Sequence, residues 1–270
     1  MGTRTLGSFT RDELQDYLEQ KADQGLSYSL VVHLRWDFKQ IFDLAQAEGY
    51  VQKNPAILLF VPRNTRWPER LVMKEEEVKR LFSVLEQRER LIVKLAVLAG
   101  MRPGEIFGSK WRRLKEECIQ IRQRVYRGEV DTPKTNHSVR DVALSDGLLG
   151  EVDEWRGISL DTSSNAWVFP SEKLVTPLAK DNCWRRRIAP KLKAVGLGWV
   201  TFQVMRRTHS TLLNALKVDP KVVADMLGHT LDVNQNVYTN RRPKVCKEIF
   251  EAGEQSFLRQ PLASGRFGRC

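Results

Sequence analysis

Cysteine is scarce in this chain of 270 residues, and the few cysteines are far apart. Cys118, Cys183, Cys246 and Cys270 contain no Cys-x-x-Cys pair. This spacing excludes a zinc ribbon and argues against a disulfide framework. We therefore expect reduced thiols that are mostly structural.

Long apolar runs are also missing. The longest one, residues 91–101, is interrupted by Lys94 and is shorter than the roughly 18 residues that a membrane span needs. The chain begins Met-Gly-Thr-Arg-Thr-Leu and lacks the apolar core of a secretory signal. We therefore expect a cytoplasmic protein.

Basic side chains, by contrast, are abundant. The chain has 44 Lys+Arg against 33 Asp+Glu, which gives a net charge of +11 and a pI near 9.6. Residues 1–66 carry eight basic and eight acidic side chains, so the whole excess lies in residues 67–270. Such an excess predicts a polyanionic partner, either nucleic acid or an acidic surface, and charge alone does not choose between them.

The chain divides into two parts in its sequence pattern. Its length predicts one or two domains, and its seven Trp and eleven Phe supply apolar cores. A polar stretch with two prolines, residues 61–68, predicts a boundary between residues 1–66 and 67–270. In the first part, Thr10 and Glu13 match a helical capping box.

Periodicity predicts a mainly α-helical fold with a small antiparallel β-sheet. In the second part, segments with apolar residues at helical spacing are separated by two segments in which apolar and polar residues alternate, the pattern of a strand. The expected helices are 27–48, 75–86, 90–99 and a helical region from 179 onward, and the expected strands are 119–126 and 139–144, joined by the polar segment 127–138.

A candidate anion site follows the apolar helix. Gly100 suits the end of that helix, and Pro103 suits the first turn of the next. Because the residue before a proline is driven out of the α region, we expect Arg102 to be extended at a helix N-terminus. A guanidinium there can bind phosphate with two hydrogen bonds, and Glu105 can orient it or serve as a helix-terminal carboxylate. The alternative is a surface arginine on a helix cap.

A second pattern lies near the end of the chain. On the helix expected from residue 202 to 216, His209 falls on the apolar stripe and is predicted to be a core histidine, while Arg206 lies at the edge of the stripe. A short helix then begins at Asp219, and Gly228 ends it, so His229 follows the stop. On its own, this arrangement also fits a plain helix-turn-helix DNA reader.

Four short motifs follow one another along the chain. They are Gly100-Met101-Arg102-Pro103-Gly104-Glu105, Thr132-Pro133-Lys134-Thr135, Met205-Arg206-Arg207-Thr208-His209, and Leu227-Gly228-His229 with Tyr238 nine residues later. In this order and spacing they resemble the motif series of the tyrosine recombinases, the phage-integrase family. Residues 1–66 then look like the helical core-binding domain that clasps DNA. Residues 67–270 look like the catalytic domain with a C-terminal tail helix.

The resemblance implies a site-specific DNA recombinase that cleaves and rejoins duplex DNA without a metal ion, nucleotide or other cofactor. Tyr238 is the implied nucleophile and forms a 3′-phosphotyrosyl link that preserves the bond energy for rejoining. Arg102 and Arg206 are expected to hold the non-bridging phosphate oxygens.

The remaining roles follow from the same likeness. Lys134 is expected to protonate the departing 5′-oxygen, His229 to donate a further hydrogen bond to the phosphate, and Glu105 to support the site. Gln203 stands where the family often has histidine, three residues before the second arginine. Glutamine can bind a phosphate oxygen but cannot accept a proton near neutral pH. The role of general base toward the tyrosine is therefore unfilled or is taken by another group.

The implied partners are double-stranded DNA and further copies of the chain, as a dimer or tetramer on DNA, with accessory DNA-bending proteins as candidates. No membrane partner is expected. Candidate contacts to the DNA backbone are the arginine clusters Arg112-Arg113, Arg185-Arg186-Arg187, Arg207 and Arg241-Arg242. A tail helix is expected over residues 244–258, and in the family such a tail packs onto a neighbouring protomer.

Two other functions fit the same residues. A sequence-specific DNA-binding protein would use the helices around Arg206 without any chemistry, and Gln203 keeps this alternative open. A type IB topoisomerase has a similar active site but relaxes DNA as a monomer. The two-part architecture and the short length favour the integrase.

Overall fold

The computed structural model of the chain describes residues 4–67, 69–132 and 138–228. The chain forms two compact units, Met1–Arg70 and Leu71–Cys270, each with its own core. The fold is mainly helical with small antiparallel sheets, as the periodicity predicted. Within the described stretches, every helix is too short or too polar to cross a membrane.

The first unit is built on two helices, α1 (Arg11–Asp23) and α2 (Tyr28–Ala47). The predicted capping box is confirmed: the Thr10 hydroxyl accepts from the backbone N–H of Glu13, and the Glu13 carboxylate accepts from the backbone N–H of Thr10. The helices bury a small apolar core that includes Leu14, Leu18, Val31, Phe42, Ala56 and Leu59.

The second unit contains the other helices. They are α3 (Glu75–Ser83), α4 (Gln87–Val97), α5 (Pro103–Phe107), α6 (Asp146–Ile158), α7 (Lys180–Cys183), α8 (Ala189–Ala194), α9 (Phe202–Ala215) and α10 (Pro220–Leu227). A π-helical turn, Trp184–Ile188, joins α7 to α8. Because α4 has almost no polar face, it lies inside the unit, where Ile92, Val93 and Val97 are fully buried.

The β-structure differs from the prediction at one point. Strand β1 (Cys118–Ile121) pairs with β4 (Arg140–Ala143), and β2 (Arg124–Tyr126) pairs with β3 (Glu129–Asp131), both antiparallel. The prediction of a single strand over residues 119–126 is therefore wrong, because this segment forms two strands, β1 and β2, with different partners. The segment expected to be a polar link, residues 127–138, contains β3, whose three residues are all exposed and carry no burial signal.

Two of the four cysteines lie in the described part of the chain, and both are buried thiols. Burial, together with the negative charge of Glu89, raises the pKa of Cys183 to about 11. A thiol held protonated in this way is a poor nucleophile, in line with the structural role that we predicted for it. Cys246 and Cys270 lie outside the described residues.

Candidate active site

The turn after α4 sets the place of Arg102. Gly100 has a φ of +61°, and a Cβ at this position would lie 2.6 Å from Cδ2 of His209, so only glycine fits. Arg102 is extended (φ −73°, ψ 147°), and Pro103 is the first residue of α5. Both features confirm the conformation expected from the Arg-Pro pair.

Glu105 orients Arg102. The Glu105 side chain is 3% exposed, and its carboxylate accepts from the Arg102 backbone N–H at 2.8 Å and from Arg102 Nη1 at 2.8 Å. The other terminal nitrogen of the guanidinium, Nη2, donates to the carbonyl of Gly228 at 2.8 Å. The interpretation of Glu105 as an orienting carboxylate therefore agrees with the contacts.

Arg140 is a member of this cluster that the sequence reasoning missed. It lies on β4, and its Nη1 and Nη2 donate to the two carboxylate oxygens of Glu105, each at 2.9 Å. A signal was present in the sequence. Side chains two residues apart on a strand share a face, so Arg140 lies on the same face as the buried Val142 and Leu144. A buried arginine needs a partner, which here is the carboxylate.

Arg206 reaches the same place from α9, where Thr201 caps the first turn. The residue is 3% exposed, because its stem is packed, as its position at the edge of the apolar stripe predicted. Its Nη1 donates to the carbonyl of Gly100, and its Nη2 donates to the carbonyl of Leu227 at 3.0 Å.

The C-terminus of α10 is the point where the three arginines meet. Gly228 ends this helix in the left-handed conformation (φ 62°, ψ 48°). The last carbonyls of a helix carry partial negative charge and have no partner within the helix. Three consecutive carbonyls each accept from a different guanidinium: Met226 from Arg140, Leu227 from Arg206 and Gly228 from Arg102.

The electrostatics of the cluster favour an anion. Burial alone raises the pKa of Glu105, but hydrogen bonding to Arg140 and the charges of Arg140, Arg102 and Arg206 outweigh burial and hold that pKa at about 2. Glu105 is therefore ionised at neutral pH. Three guanidiniums and one carboxylate then leave two excess positive charges in the cluster.

His209 is a core residue, as predicted. Its side chain is buried against the turn at Gly100, and its Nδ1 lies 3.0 Å from the carbonyl of Val97. Because a carbonyl only accepts, Nδ1 carries the proton in the neutral ring. Burial and the charge of Arg206 lower the pKa of His209 to about 4. His209 is therefore neutral at physiological pH and does not replace the missing histidine.

The structure brings together three of the predicted site residues, Arg102, Arg206 and Glu105. Gln203 lies in the first turn of α9 with an exposed side chain. Lys134, His229 and Tyr238 lie outside the described residues. In the described part of the chain, no group of three or more His, Cys, Asp or Glu side chains is arranged to hold a metal ion.

The arginine clusters differ in their exposure. Arg112 is exposed, and so are Arg185, Arg186 and Arg187 on the π-helical turn, whereas Arg207 is half-buried. Arg241-Arg242 and the expected tail helix 244–258 lie outside the described residues. The cluster on the π-helical turn is therefore the largest described run of exposed guanidiniums in the second unit.

Sequence comparison identifies relatives of known class. A model of the phage integrase family matches residues 71–244. The tyrosine recombinase XerC-like protein of Caldanaerobacter subterraneus subsp. tengcongensis is 26% identical in an alignment of 281 positions, gaps included, that covers 91% of this chain and 71% of that protein.

Solved structures share the fold. The Tn1549 transposon integrase, in complex with transposon right end DNA, matches with a TM-score of 0.74 at 16% identity, over 93% of this chain and 87% of that one. A lambda integrase tetramer bound to a Holliday junction matches with a TM-score of 0.62 at 19% identity, over 83% of this chain and 65% of that one.

Proposed function

The chain belongs to the phage integrase family, and on that premise we propose that it is a site-specific recombinase that cleaves and rejoins duplex DNA through a covalent link to Tyr238. The observation that carries the proposal is the convergence of Arg102 and Arg206, from two separate helical segments, on the end of α10. His229 and Tyr238 follow that point in the sequence.

The charge of the cluster suits a phosphodiester. When an oxygen nucleophile attacks the phosphorus, negative charge builds up on the non-bridging oxygens. Fixed cations whose positions are set before the reaction stabilise that charge without reorganisation. Arg102 and Arg206 are held by backbone carbonyls and by Glu105. The excess of two positive charges stabilises the transition state more than the substrate phosphodiester, because the transition state carries more negative charge on these oxygens.

The covalent step is a transesterification. The Tyr238 oxygen forms a bond to phosphorus while the bond from phosphorus to the 5′-oxygen breaks. Lys134 gives its proton to the departing 5′-oxygen, and His229 donates a hydrogen bond to a non-bridging oxygen. Rejoining is the reverse, with a 5′-hydroxyl as the nucleophile. The number of phosphate ester bonds stays constant, so no nucleotide is consumed.

The proton of the Tyr238 phenol needs an acceptor. Gln203 occupies the place from which the family's histidine acts, and its amide cannot take up a proton near neutral pH. We assign this proton to solvent water, so cleavage depends on the small fraction of phenolate. Gln203 contributes a hydrogen bond to a phosphate oxygen.

The larger assembly is part of the same proposal. Unit Met1–Arg70 acts as the core-binding domain, and unit Leu71–Cys270 acts as the catalytic domain on double-stranded DNA. Copies of the chain associate on DNA as a dimer or tetramer. Two further statements stay predictions. One is that accessory DNA-bending proteins assist, and the other is that the protein works in the cytoplasm on bacterial or phage DNA.

Covalent capture tests the proposal without knowledge of the target sequence. The protein is incubated in EDTA with a pool of nicked duplexes that carry a randomised central stretch. The products are separated by denaturing electrophoresis, and the DNA that stays attached to the protein is sequenced. A nick close to the scissile bond makes the fragment with the free 5′-hydroxyl short enough to diffuse away. Rejoining then lacks its nucleophile, so the covalent complex accumulates. We expect a band of covalent protein–DNA complex, and we expect the DNA molecules in it to share one sequence, the target site.

Two tyrosine variants serve as the matched pair. Tyr238→Phe removes the nucleophile and should abolish the band. Tyr126→Phe changes an exposed tyrosine of β2 and should leave the band unchanged. DNA retention in a gel shift without any covalent band would contradict the proposal and favour a non-catalytic DNA-binding protein. Relaxation of supercoiled plasmid by a monomer, without strand exchange, would favour a topoisomerase.

A further inference from the structure

We propose that Arg140 is a positioning residue of this active site: it fixes Glu105 and the last turn of α10, and thereby places Arg102 toward the phosphate and sets where the chain leaves α10. The inference rests on the proposed function, because it concerns the same site. It adds an arginine that acts through its neighbours and not through the phosphate.

Hydrogen bonding and exposure separate Arg140 from Arg102. A guanidinium has five N–H donors, and all but one of those on Arg140 are used within the protein. Nε donates to the Met226 carbonyl at 2.7 Å, Nη1 to Glu105 at 2.9 Å and to the Ser138 carbonyl at 3.2 Å, and Nη2 to Glu105 at 2.9 Å. Its side chain is 7% exposed, against 31% for Arg102.

Glu105 depends on Arg140 as much as on Arg102. Each carboxylate oxygen accepts two hydrogen bonds, one from each of these residues. Loss of Arg140 would leave a buried carboxylate with half of its partners. The carboxylate would then rotate toward its remaining donors or take up a proton, and either change moves the hydrogen-bond acceptor of Arg102.

Arg140 also connects three elements that are distant in sequence. It belongs to β4, its carboxylate partner lies on α5, and its Nε bonds to the last turn of α10. The Met226 carbonyl precedes His229 by three residues, so a displaced end of α10 would displace the start of the segment that carries His229. A single side chain thus couples the carboxylate that orients Arg102 to the end of α10.

The geometry requires an arginine and not merely a positive charge. Two parallel N–H···O bonds and a third bond from Nε point in fixed directions within one plane. A lysine at this position would retain the charge but would reach only one of these partners at a time. Arg140→Lys should therefore resemble Arg140→Met in cleavage, although it keeps the charge.

Single-turnover cleavage of the captured duplex, with protein in saturating excess, tests the proposal. We expect Arg140→Met and Arg140→Lys to cleave about 10- to 100-fold more slowly than the wild type, as for other residues that orient a catalytic group. DNA affinity should be unchanged within about threefold, since Arg140 is not a phosphate ligand. Arg88→Met is the control, because Arg88 lies in the first turn of α4 and pairs with a different buried carboxylate, that of Glu89.

A substrate change distinguishes positioning from general damage. A methylphosphonate at the scissile position removes one charged non-bridging oxygen, so the arginines matter less. If Arg140 acts through Arg102, its loss should slow cleavage of this substrate by a smaller factor than cleavage of the normal phosphate. An equal factor on both substrates would contradict the proposal, and so would cleavage by folded Arg140→Met within about threefold of the wild type.

Hydrogen exchange of the uncleaved protein gives a readout that is independent of activity. Arg140→Met should speed exchange at the amides of α5 and of the last turn of α10, and Arg88→Met should not. If the wild type forms no covalent complex with any duplex, the proposed recombinase function fails. The exchange result then still decides whether Arg140 holds Glu105 and the end of α10 in place. Unchanged exchange in Arg140→Met would overturn the positioning role of Arg140.

Discussion

At the scale of single residues, Glu105 shows how burial and pairing compete. Burial alone would favour the neutral acid, yet Arg140, Arg102 and Arg206 hold the pKa of Glu105 at about 2. A buried carboxylate with well-aligned partners is stable, but removal of its charge leaves the guanidiniums without compensation. Under the proposed function, the same residue therefore contributes to both stability and catalysis.

This competition predicts a pH-dependent stability. The folded-state pKa of Glu105 lies below the unfolded value of about 4.3, so its contribution is present above pH ~4.3 and is lost as the pH falls toward ~2. We expect Glu105→Gln to lower the free energy of unfolding by about 3 kcal/mol near pH ~7. The difference from the wild type should shrink near pH ~3, as measured by urea titration.

Glu151→Gln is the control for that experiment. Glu151 pairs with Lys94, but its side chain is 31% exposed, so its removal should change the free energy of unfolding by no more than about 1 kcal/mol. A gap between Glu105→Gln and the wild type that does not change from neutral to acidic pH would show that the carboxylate charge is not what stabilises the cluster.

Gln203 gives a prediction about rate. Without a base for the phenol proton, the wild-type cleavage rate should rise with pH toward the phenol pKa of about 10. Gln203→His supplies an imidazole and should accelerate cleavage near neutral pH by about 100-fold, with a profile that levels off above pH ~6.5. Gln203→Asn keeps the amide without a base and should bring no gain. A flat wild-type profile between pH ~7 and ~9 would mean that another group already accepts the proton.

At the scale of elements, the hairpin β2–β3 is fixed to α5 by close backbone packing. A Cβ on Gly104 would lie 2.7 Å from the Val125 carbonyl oxygen, and one on Gly108 would lie 3.2 Å from the Arg124 backbone. Two glycines one helical turn apart therefore let the strand touch the helix. The hairpin leads to the segment with Lys134, and α5 carries Glu105 next to Arg102.

Gly104→Ala should therefore affect both stability and cleavage. The added methyl group meets backbone that cannot yield without moving β2, so we expect a loss of about 1–3 kcal/mol and slower cleavage. Thermal unfolding and the capture assay measure the two effects. Gly150→Ala in α6 is the control, because a Cβ there meets nothing within 4 Å. It should stabilise by about 0.5–1 kcal/mol. Equal stability of the two variants, with normal cleavage, would contradict this packing role.

The sequence predicted the elements that a local signal defines and missed those that a distant partner defines. The capping box at Thr10 and the extended Arg102 before Pro103 depend on neighbours within a few residues, and both are present. The break between Ile121 and Arg124 is different: the alternation continues through it, and only the pairing with β4 and β3 separates the strands.

The same distinction applies to the site. Arg102 and Arg206 were found through a motif series, whereas Arg140 was not, because its partner Glu105 is 35 residues away and no short motif joins them. A period-two pattern with an arginine on its apolar face is the one local sign of such a residue. Buried ion pairs between distant segments are thus the part of the site that local patterns predict least.

At the scale of the whole molecule, the charge is distributed unevenly between the two units. The excess of +11 lies in residues 67–270, which include the cluster around Glu105 and the exposed guanidiniums of Arg185–Arg187. Side chains that neutralise DNA phosphates release counterions, so each of them steepens the fall of affinity with salt without reading the sequence.

This separation of roles predicts what the π-helical turn contributes. Replacing Arg185, Arg186 and Arg187 together by alanine should weaken binding to all duplexes alike, and should reduce the slope of log affinity against log salt by about 0.9 for each phosphate that is no longer neutralised. Fluorescence anisotropy at several salt concentrations, with the captured site and an unrelated duplex, measures both quantities. The triple lysine variant keeps the charge and should keep the slope. If the alanine variant bound only the captured site more weakly, the turn would be reading base sequence, because the removal of phosphate-binding charges lowers the affinity for both duplexes by the same factor.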